Sequence, residues 1–177
     1  MKFTGGLLAL TLVTSAFAEP IPKVKRSLAQ YQAVFTGIRN QVNVVGSAVA
    51  SYVGGSIPGT DVQSESEELV TIINTGAANI ATYAALNTLD ALALVAPIQA
   101  LTGDVADVID ALIAAKPNFD GDGLSGEVLT NLQDQRAATA SLRNAITPKV
   151  PAALQDIAAG LADGINAEID RGIAAYD

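Results

Sequence analysis

The chain has 177 residues, enough for one domain with a sizeable core, and its 10 basic and 18 acidic residues give a net charge of −8. It holds no Cys, no His and no Trp, and Met1 is its one methionine. That composition excludes thiol chemistry, the usual zinc sites and Ser-His or Cys-His catalysis, and the acidic balance argues against nucleic acid and anionic membrane surfaces as partners.

Residues 1–18 read as a secretory signal. Lys2 gives a positive start, Leu7 to Val13 an apolar run, and Ala16-Phe17-Ala18 a small-x-small cleavage site. The run is too short for a bilayer, which takes about 20 residues. Charges or glycines interrupt every later apolar run, so no transmembrane segment is expected. Residues 19–26, EPIPKVKR, read as a linker or a short pro-segment ending at the dibasic Lys25-Arg26. Loss of the leader through Arg26 removes four basic residues and only Glu19 among the acids, so the remainder is more acidic still. Secretion without cysteine means a fold that does not rely on disulfides.

The domain is expected over residues 27–177. Helix one is predicted from Ser27 to about Val53, with Ser27-Leu28-Ala29-Gln30 as a capping box. Leu28, Tyr31, Phe35, Ile38, Val42, Val45, Val49 and Tyr52 form its stripe at helical spacing, and Gly54-Gly55 ends it. Helix two is predicted from Thr60 or Ser64, since both open a capping box, to near Tyr83. Its acids Glu65, Glu67 and Glu68 read as a solvated helix start rather than a metal site.

The third and longest helix is predicted from Asn87 to Pro117, with Leu101, Val105, Val108, Ile109 and Leu112 along one side. Pro97 should kink or break it, and Pro117 should stop it. Residues 118–127, NFDGDGLSGE, resemble the start of a calcium loop at Asn118, Asp120 and Asp122, but Leu129 stands where a bidentate Glu is needed. A Gly/Asp turn is the expectation there.

Helix four is predicted from Ser125 to about Ala145, weakly amphipathic because Gln133 to Ala140 is polar and small. Helix five opens with Thr147-Pro148 and repeats Leu154, Ile157, Leu161, Ile165, Ile169, Ile173 and Tyr176 to the C-terminus. Glycines inside the helices, Gly160, Gly164 and Gly172 among them, read as close helix approach or as internal room for a ligand. The physical reading is all-α: an antiparallel up-and-down bundle of about five helices, the third kinked at Pro97.

The Asp90-Ala91-Leu92 start, Pro97-Ile98 with Leu101 and Val105, the run Val108 to Ile113 and the Lys116-Pro117-Asn118-Phe119 end resemble the fungal hydrophobic surface-binding protein A family, which includes cell-wall galactomannoprotein domains. Lys149-Val150-Pro151 and the helix up to Ala175-Tyr176 fit its C-terminal part. The resemblance implies a secreted, non-catalytic helical bundle without a cofactor. Some members are thought to coat hydrophobic solids and help recruit secreted hydrolases, and others bind fatty acids between helices. The chain shows no Ser/Thr-rich stalk, C-terminal anchor signal or Asn-x-Ser/Thr site, so a freely secreted form is the expectation, with cell-wall association as the family's other mode.

Two functions follow as expectations. The first is binding of a long-chain fatty acid or similar apolar ligand, lined by Phe35, Ile38, Val42, Ile73, Ile80, Leu101, Val105, Leu112, Leu132, Leu161 and Ile165. The alternative is adsorption to hydrophobic solids with recruitment of an esterase or cutinase, which needs an exposed apolar patch. An enzyme would need paired buried carboxylates; the helix acids Asp104, Asp107, Asp110, Asp163 and Asp170 are expected exposed.

Overall fold

The computed structural model describes residues 23–177. The expected signal at 1–18 and the first part of the 19–26 segment lie outside the described residues. Six α-helices follow: α1 (Lys23–Val53), α2 (Gly59–Thr82), α3 (Thr88–Leu92), α4 (Val95–Asp122), α5 (Ser125–Ile146) and α6 (Gln155–Tyr176). Two 3₁₀ turns, Thr147–Lys149 and Ala152–Leu154, lie between α5 and α6. The five long helices form the expected all-α bundle, and no strand occurs among the described residues.

The long helices alternate in direction along the chain, but their spatial order differs. They close a ring in the order α1, α2, α5, α6, α4 and back to α1. Gln41 meets Glu65 and Ser27 meets Ala84, so α1 and α2 run antiparallel. Arg39 meets Asp104 and Tyr52 meets Asp122, so α1 and α4 run parallel. Arg171 meets Asp110 and Tyr176 meets Leu112, which makes α4 and α6 parallel too. Although α4 and α5 are joined by only Gly123-Leu124, they scarcely touch, because α6 lies between them.

The ring holds a filled core. Tyr31, Ile80, Ile109, Phe119 and Leu132 are among its fully buried side chains. Each contributes about 1.5–3 kcal/mol relative to exposure. Tyr52, Phe119 and Tyr176 stack in sequence at the end where α4 turns into α5, with ring centroids 4.5 and 6.4 Å apart.

Several boundaries differ from the sequence expectation. Ser27 is not a cap: α1 begins at Lys23, and the buried Ser27 hydroxyl donates to the Ala84 carbonyl. Helix two starts at the earlier of its two signals, in the turn that holds Asp61. The break in the long helix falls at Ala93-Leu94 rather than at Pro97. Pro97 sits in the first turn of α4, where its missing N–H has no intrahelical partner to lose.

Pro117 does not stop α4. The helix runs on to Asp122 and ends at Gly123, whose φ of 72° is the left-handed cap conformation open to glycine. Burial of Phe119 and a bond from the Leu124 amide to its carbonyl hold the extra turn. The 118–127 segment is therefore mostly helix rather than a Gly/Asp turn. Two of its carboxylates are engaged within the protein, Asp120 by Lys116 and Ser125 and Asp122 by Tyr52. Helix five also starts later, at Gln155. Val150 is extended and Pro151 follows, so Thr147-Pro148 opens only a 3₁₀ turn.

Thr88–Asp122 is long and apolar enough to cross a membrane, with a mean hydropathy of 1.5 in its most apolar window. This corrects the expectation that no later stretch is long and apolar enough to span a bilayer. In the fold the stretch is broken at Ala93-Leu94, and α4 packs between α1 and α6, so its apolar residues are shared between two flanks.

Candidate functional site

Two cavities mark opposite ends of the ring. At the α3 end, one of about 30 Å³ is lined by apolar side chains alone: α3 and the start of α4 supply Ala91, Leu92, Leu94, Val95 and Ile98, and Ile146, Val150, Leu154, Ile157, Ala158 and Leu161 face them. The chain builds this site from irregular connections. The Leu86 amide bonds the Lys149 carbonyl, and Lys149 Nζ donates to the carbonyls of Ala81 and Tyr83 at the end of α2. The 3₁₀ segment is thus pinned across the end of the ring. Leu92 and Ile157 line the cavity yet stay 46% and 49% exposed, and Leu89, one turn before Leu92, is 79% exposed. They form an apolar rim at the surface.

The second cavity, about 10 Å³, lies at the Gly123 end between α2, α4 and α5. Its walls are mixed. Val62, Leu112, Phe119, Leu124, Val128 and Leu132 are apolar, while Gln63, Ser66, Glu127, Asn131 and Gln135 are polar. Asn131 and Leu132 face it from α5, and Ile146 faces the other cavity from the end of the same helix, roughly 20 Å away at 1.5 Å per residue.

The sequence-predicted lining is therefore split. Leu112 and Leu132 line the cavity at the Gly123 end, and Leu161 lines the cavity at the α3 end. Phe35, Ile38, Val42, Ile73, Ile80, Leu101 and Ile165 are buried in the core and line neither. Val105 is half-buried against that core. Sequence reading missed Ser66, Asn131 and Gln135, all more than nine-tenths buried. The signal was present: Val128, Asn131, Leu132, Gln135, Ala138, Thr139 and Leu142 recur at steps of one to three with helical periodicity, and only the polarity of three of them hid the buried face.

The charged groups sit outside the ring. Arg39 pairs with Asp104, Arg171 with Asp110 and Glu168, Arg136 with Asp170, and Arg143 with Asp163 at 2.9 Å. These pairs join α1 to α4, α4 to α6, and α6 to α5. The Arg39 guanidinium holds the Asp104 carboxyl below the usual carboxylate range. Asp107, Asp110, Asp163 and Asp170 are exposed and Asp104 is half-buried in its ion pair, so these acids form no buried carboxylate pair. Among the described residues no group of His, Cys, Asp or Glu side chains is placed to hold a metal.

The pattern described as "Hydrophobic surface binding protein A" matches residues 28–148. The chain belongs to that family. It is 43% identical over 176 residues to cell wall mannoprotein 1 of Aspergillus fumigatus, covering 99% of this chain and 60% of that relative. The chain thus spans less than two thirds of the length of the relative. Among solved structures it is similar to ligand binding domain 2 of the Penicillium marneffei MP1 protein complexed with multiple arachidonic acids. The TM-score is 0.80 at 33% identity, over 86% of this chain and 97% of that domain. Ligand binding domain 1 of the same protein, complexed with arachidonic acids, matches with a TM-score of 0.81 at 25% identity, over 86% and 99%. The hydrophobic surface binding protein A fold is therefore the bundle described here, and the resemblance read from the sequence identified it.

Proposed function

We propose that the protein is an extracellular, non-catalytic binder of long-chain fatty acids and similar apolar molecules, taken up inside the helical ring. The observation that carries this reading is the cavity at the α3 end, lined by apolar side chains and rimmed at the surface by Leu89, Leu92 and Ile157. The fatty acids named for the MP1 domains, one of them 33% identical to this chain, support it.

The cavity encloses only about 30 Å³, whereas ligand sites measure roughly 300–1,000 Å³. A long alkyl chain therefore has to part the helices. Each buried methylene contributes about 0.8 kcal/mol, so a sixteen-carbon chain offers on the order of 13 kcal/mol against that rearrangement. The two cavities, roughly 20 Å apart along α5, mark the path such a chain would follow.

Native mass spectrometry of the secreted protein, followed by organic extraction, tests the reading. Co-purified or added palmitate at near one or a few per chain supports it. A protein that takes up no fatty acid overturns it.

One observation favours a second reading, adsorption to hydrophobic solids with recruitment of a secreted hydrolase. The filled core and the exposed rim of Leu89, Leu92 and Ile157 are what a surface adsorber needs. Depletion of ligand-free protein onto polyester particles, abolished by Leu89→Ser with Ile157→Ser, would establish it.

A further inference from the structure

Among the described residues, Oδ1 of Asn166 is the one buried side-chain polar atom without a hydrogen-bond partner. Asn166 lies in the middle of α6, between Asp163 and Asp170 at helical spacing, so the three share one face. Asp163 pairs with Arg143 and Asp170 with Arg136, which makes that face the seam with α5. The same pairs fix the register of the two antiparallel helices. As α6 advances from Asp163 to Asp170, α5 runs back from Arg143 to Arg136, and Asn166 stands opposite Ala140. No donor is free on α5 at this level. Ala140 has none in its side chain, the Thr139 hydroxyl donates to the Gln135 carbonyl, and both arginines are committed to their aspartates. The closed ring thus carries an acceptor that is dry and unpaired, an arrangement that destabilises a fold.

This level falls between the two cavities. On α5, Gln135 lines the cavity at the Gly123 end and Ile146 the cavity at the α3 end. Ala140 lies between them, about 8 Å from one and about 9 Å from the other at 1.5 Å per residue. On α6, Leu161 lines the cavity at the α3 end, and Asn166 is about 8 Å further along. An alkyl chain that runs along α5 from one cavity to the other passes this point, and parting α5 from α6 to admit it uncovers Oδ1. A methylene has no hydrogen to donate there, whereas a hydroxyl on the chain does.

We propose that Asn166 sets a chain preference: the ring favours long-chain acids that carry a hydroxyl near the middle of the chain over unsubstituted acids of the same length. The hydroxyl loses water on entry and regains a hydrogen bond to Oδ1. The amide oxygen is already dry, so it gains a partner with no further desolvation. A hydroxyl next to the carboxylate lies at one end of the path and misses the amide. The inference rests on the reading that fatty acids are taken up inside the ring, and it makes no demand on where the carboxylate sits.

The test titrates the full chain with stearate, 2-hydroxystearate and 10-hydroxystearate. The 10-hydroxy acid is expected to bind about fivefold tighter than stearate, the size of effect of one net hydrogen bond, and the 2-hydroxy acid should show no such gain. Asn166→Leu removes the acceptor at similar volume and Asn166→Ala removes it with less bulk. Each variant that keeps its helical circular dichroism should bind stearate and 10-hydroxystearate equally. Equal binding of these two acids by the parent overturns the inference alone. So does an equal gain from the 2-hydroxy acid, or a folded variant with the preference intact. Failure of all three acids to bind overturns the fatty-acid reading as well.

Discussion

The hydroxyl of Tyr176, the last residue of α6, donates to the carbonyl of Leu112 in α4 at 2.6 Å. Both residues are buried, and the Tyr176 ring packs edge-on against Phe119. The bond ties the end of α6 to the wall of the cavity at the Gly123 end. Tyr176→Phe keeps the ring and removes the bond, so it should cost about 1 kcal/mol of stability. Thermal unfolding would show a midpoint lower by roughly 2–4 °C. An unchanged midpoint would mean that the bond contributes nothing net.

Alkaline pH should unfold the protein cooperatively. Burial pushes the Tyr31 phenol up to about 12, aided by the neighbouring Tyr83. Burial and then the hydrogen bond to Asp122 push Tyr52 up to about 12. Burial raises Tyr176 further. An unfolded tyrosine titrates at about 10. The raised folded values mean that these phenols contribute stability that is complete below pH 10 and lost as pH rises through about 12. Phenolate absorbance from these three should therefore appear together with loss of helical circular dichroism. Their ionisation in a protein still folded would refute the assignment.

Filling the cavity at the α3 end should trade binding for stability. Ala158 is half-buried and lines it. Ala158→Leu adds methylenes into apolar space of about 30 Å³ and is expected to stabilise the fold by about 1 kcal/mol. The same change should weaken uptake of long-chain ligands several-fold. A variant that binds palmitate as the parent does would place the alkyl path elsewhere.

The helix glycines divide into two kinds, and alanine tells them apart. A Cβ on Gly172 would stand 3.0 Å from Ile109 Cδ1 and 3.3 Å from Leu132 Cδ1, both fully buried side chains with nowhere to move. Gly172→Ala should destabilise by about 1 kcal/mol despite its better helix propensity. Nothing lies within 4 Å of a Cβ on Gly160, so Gly160→Ala should stabilise by about 0.5–1 kcal/mol. Denaturant midpoints moving in opposite directions would bear this out, and a shared direction would refute it.

Pro117 is exposed and interrupts the hydrogen-bond ladder of α4 without stopping it. Pro117→Ala restores the missing donor and should stabilise by up to about 3 kcal/mol. A loss of stability on thermal unfolding would mean that the fixed backbone angle of the proline supports the last turn of α4.

Much of the fold was legible because periodicity reports burial directly. The stripes from Tyr31 to Tyr52 and from Ile165 to Tyr176 predicted buried faces that the structure contains. The ends were harder. Pro117 read as a stop, yet Phe119, two residues later, is held by tertiary packing that a local rule does not see. Ser27 read as a cap because its hydroxyl partner, the Ala84 carbonyl, lies 57 residues away. The site was the least legible part. Its apolar lining has the composition of any core, so Leu161 and Ile165 look alike in sequence although only Leu161 faces a cavity. The polar face of α5 at Asn131 and Gln135 read as weak amphipathicity, because hydrophobicity alone does not register a buried amide.

The placement of α6 between α4 and α5 sets the order in which the molecule can be assembled. Synthesis delivers α4 and α5 as immediate neighbours, but their apolar flanks are matched to a segment that emerges after both. Until residues 155–176 are available, the wall between α4 and α5 has a missing stave and the interior stands open to its surroundings. Closure of the ring therefore waits for α6, and the contacts that join Arg171 to Asp110 and Tyr176 to Leu112 act as its clasp. A lipid met before that moment encounters an open trough rather than a closed ring.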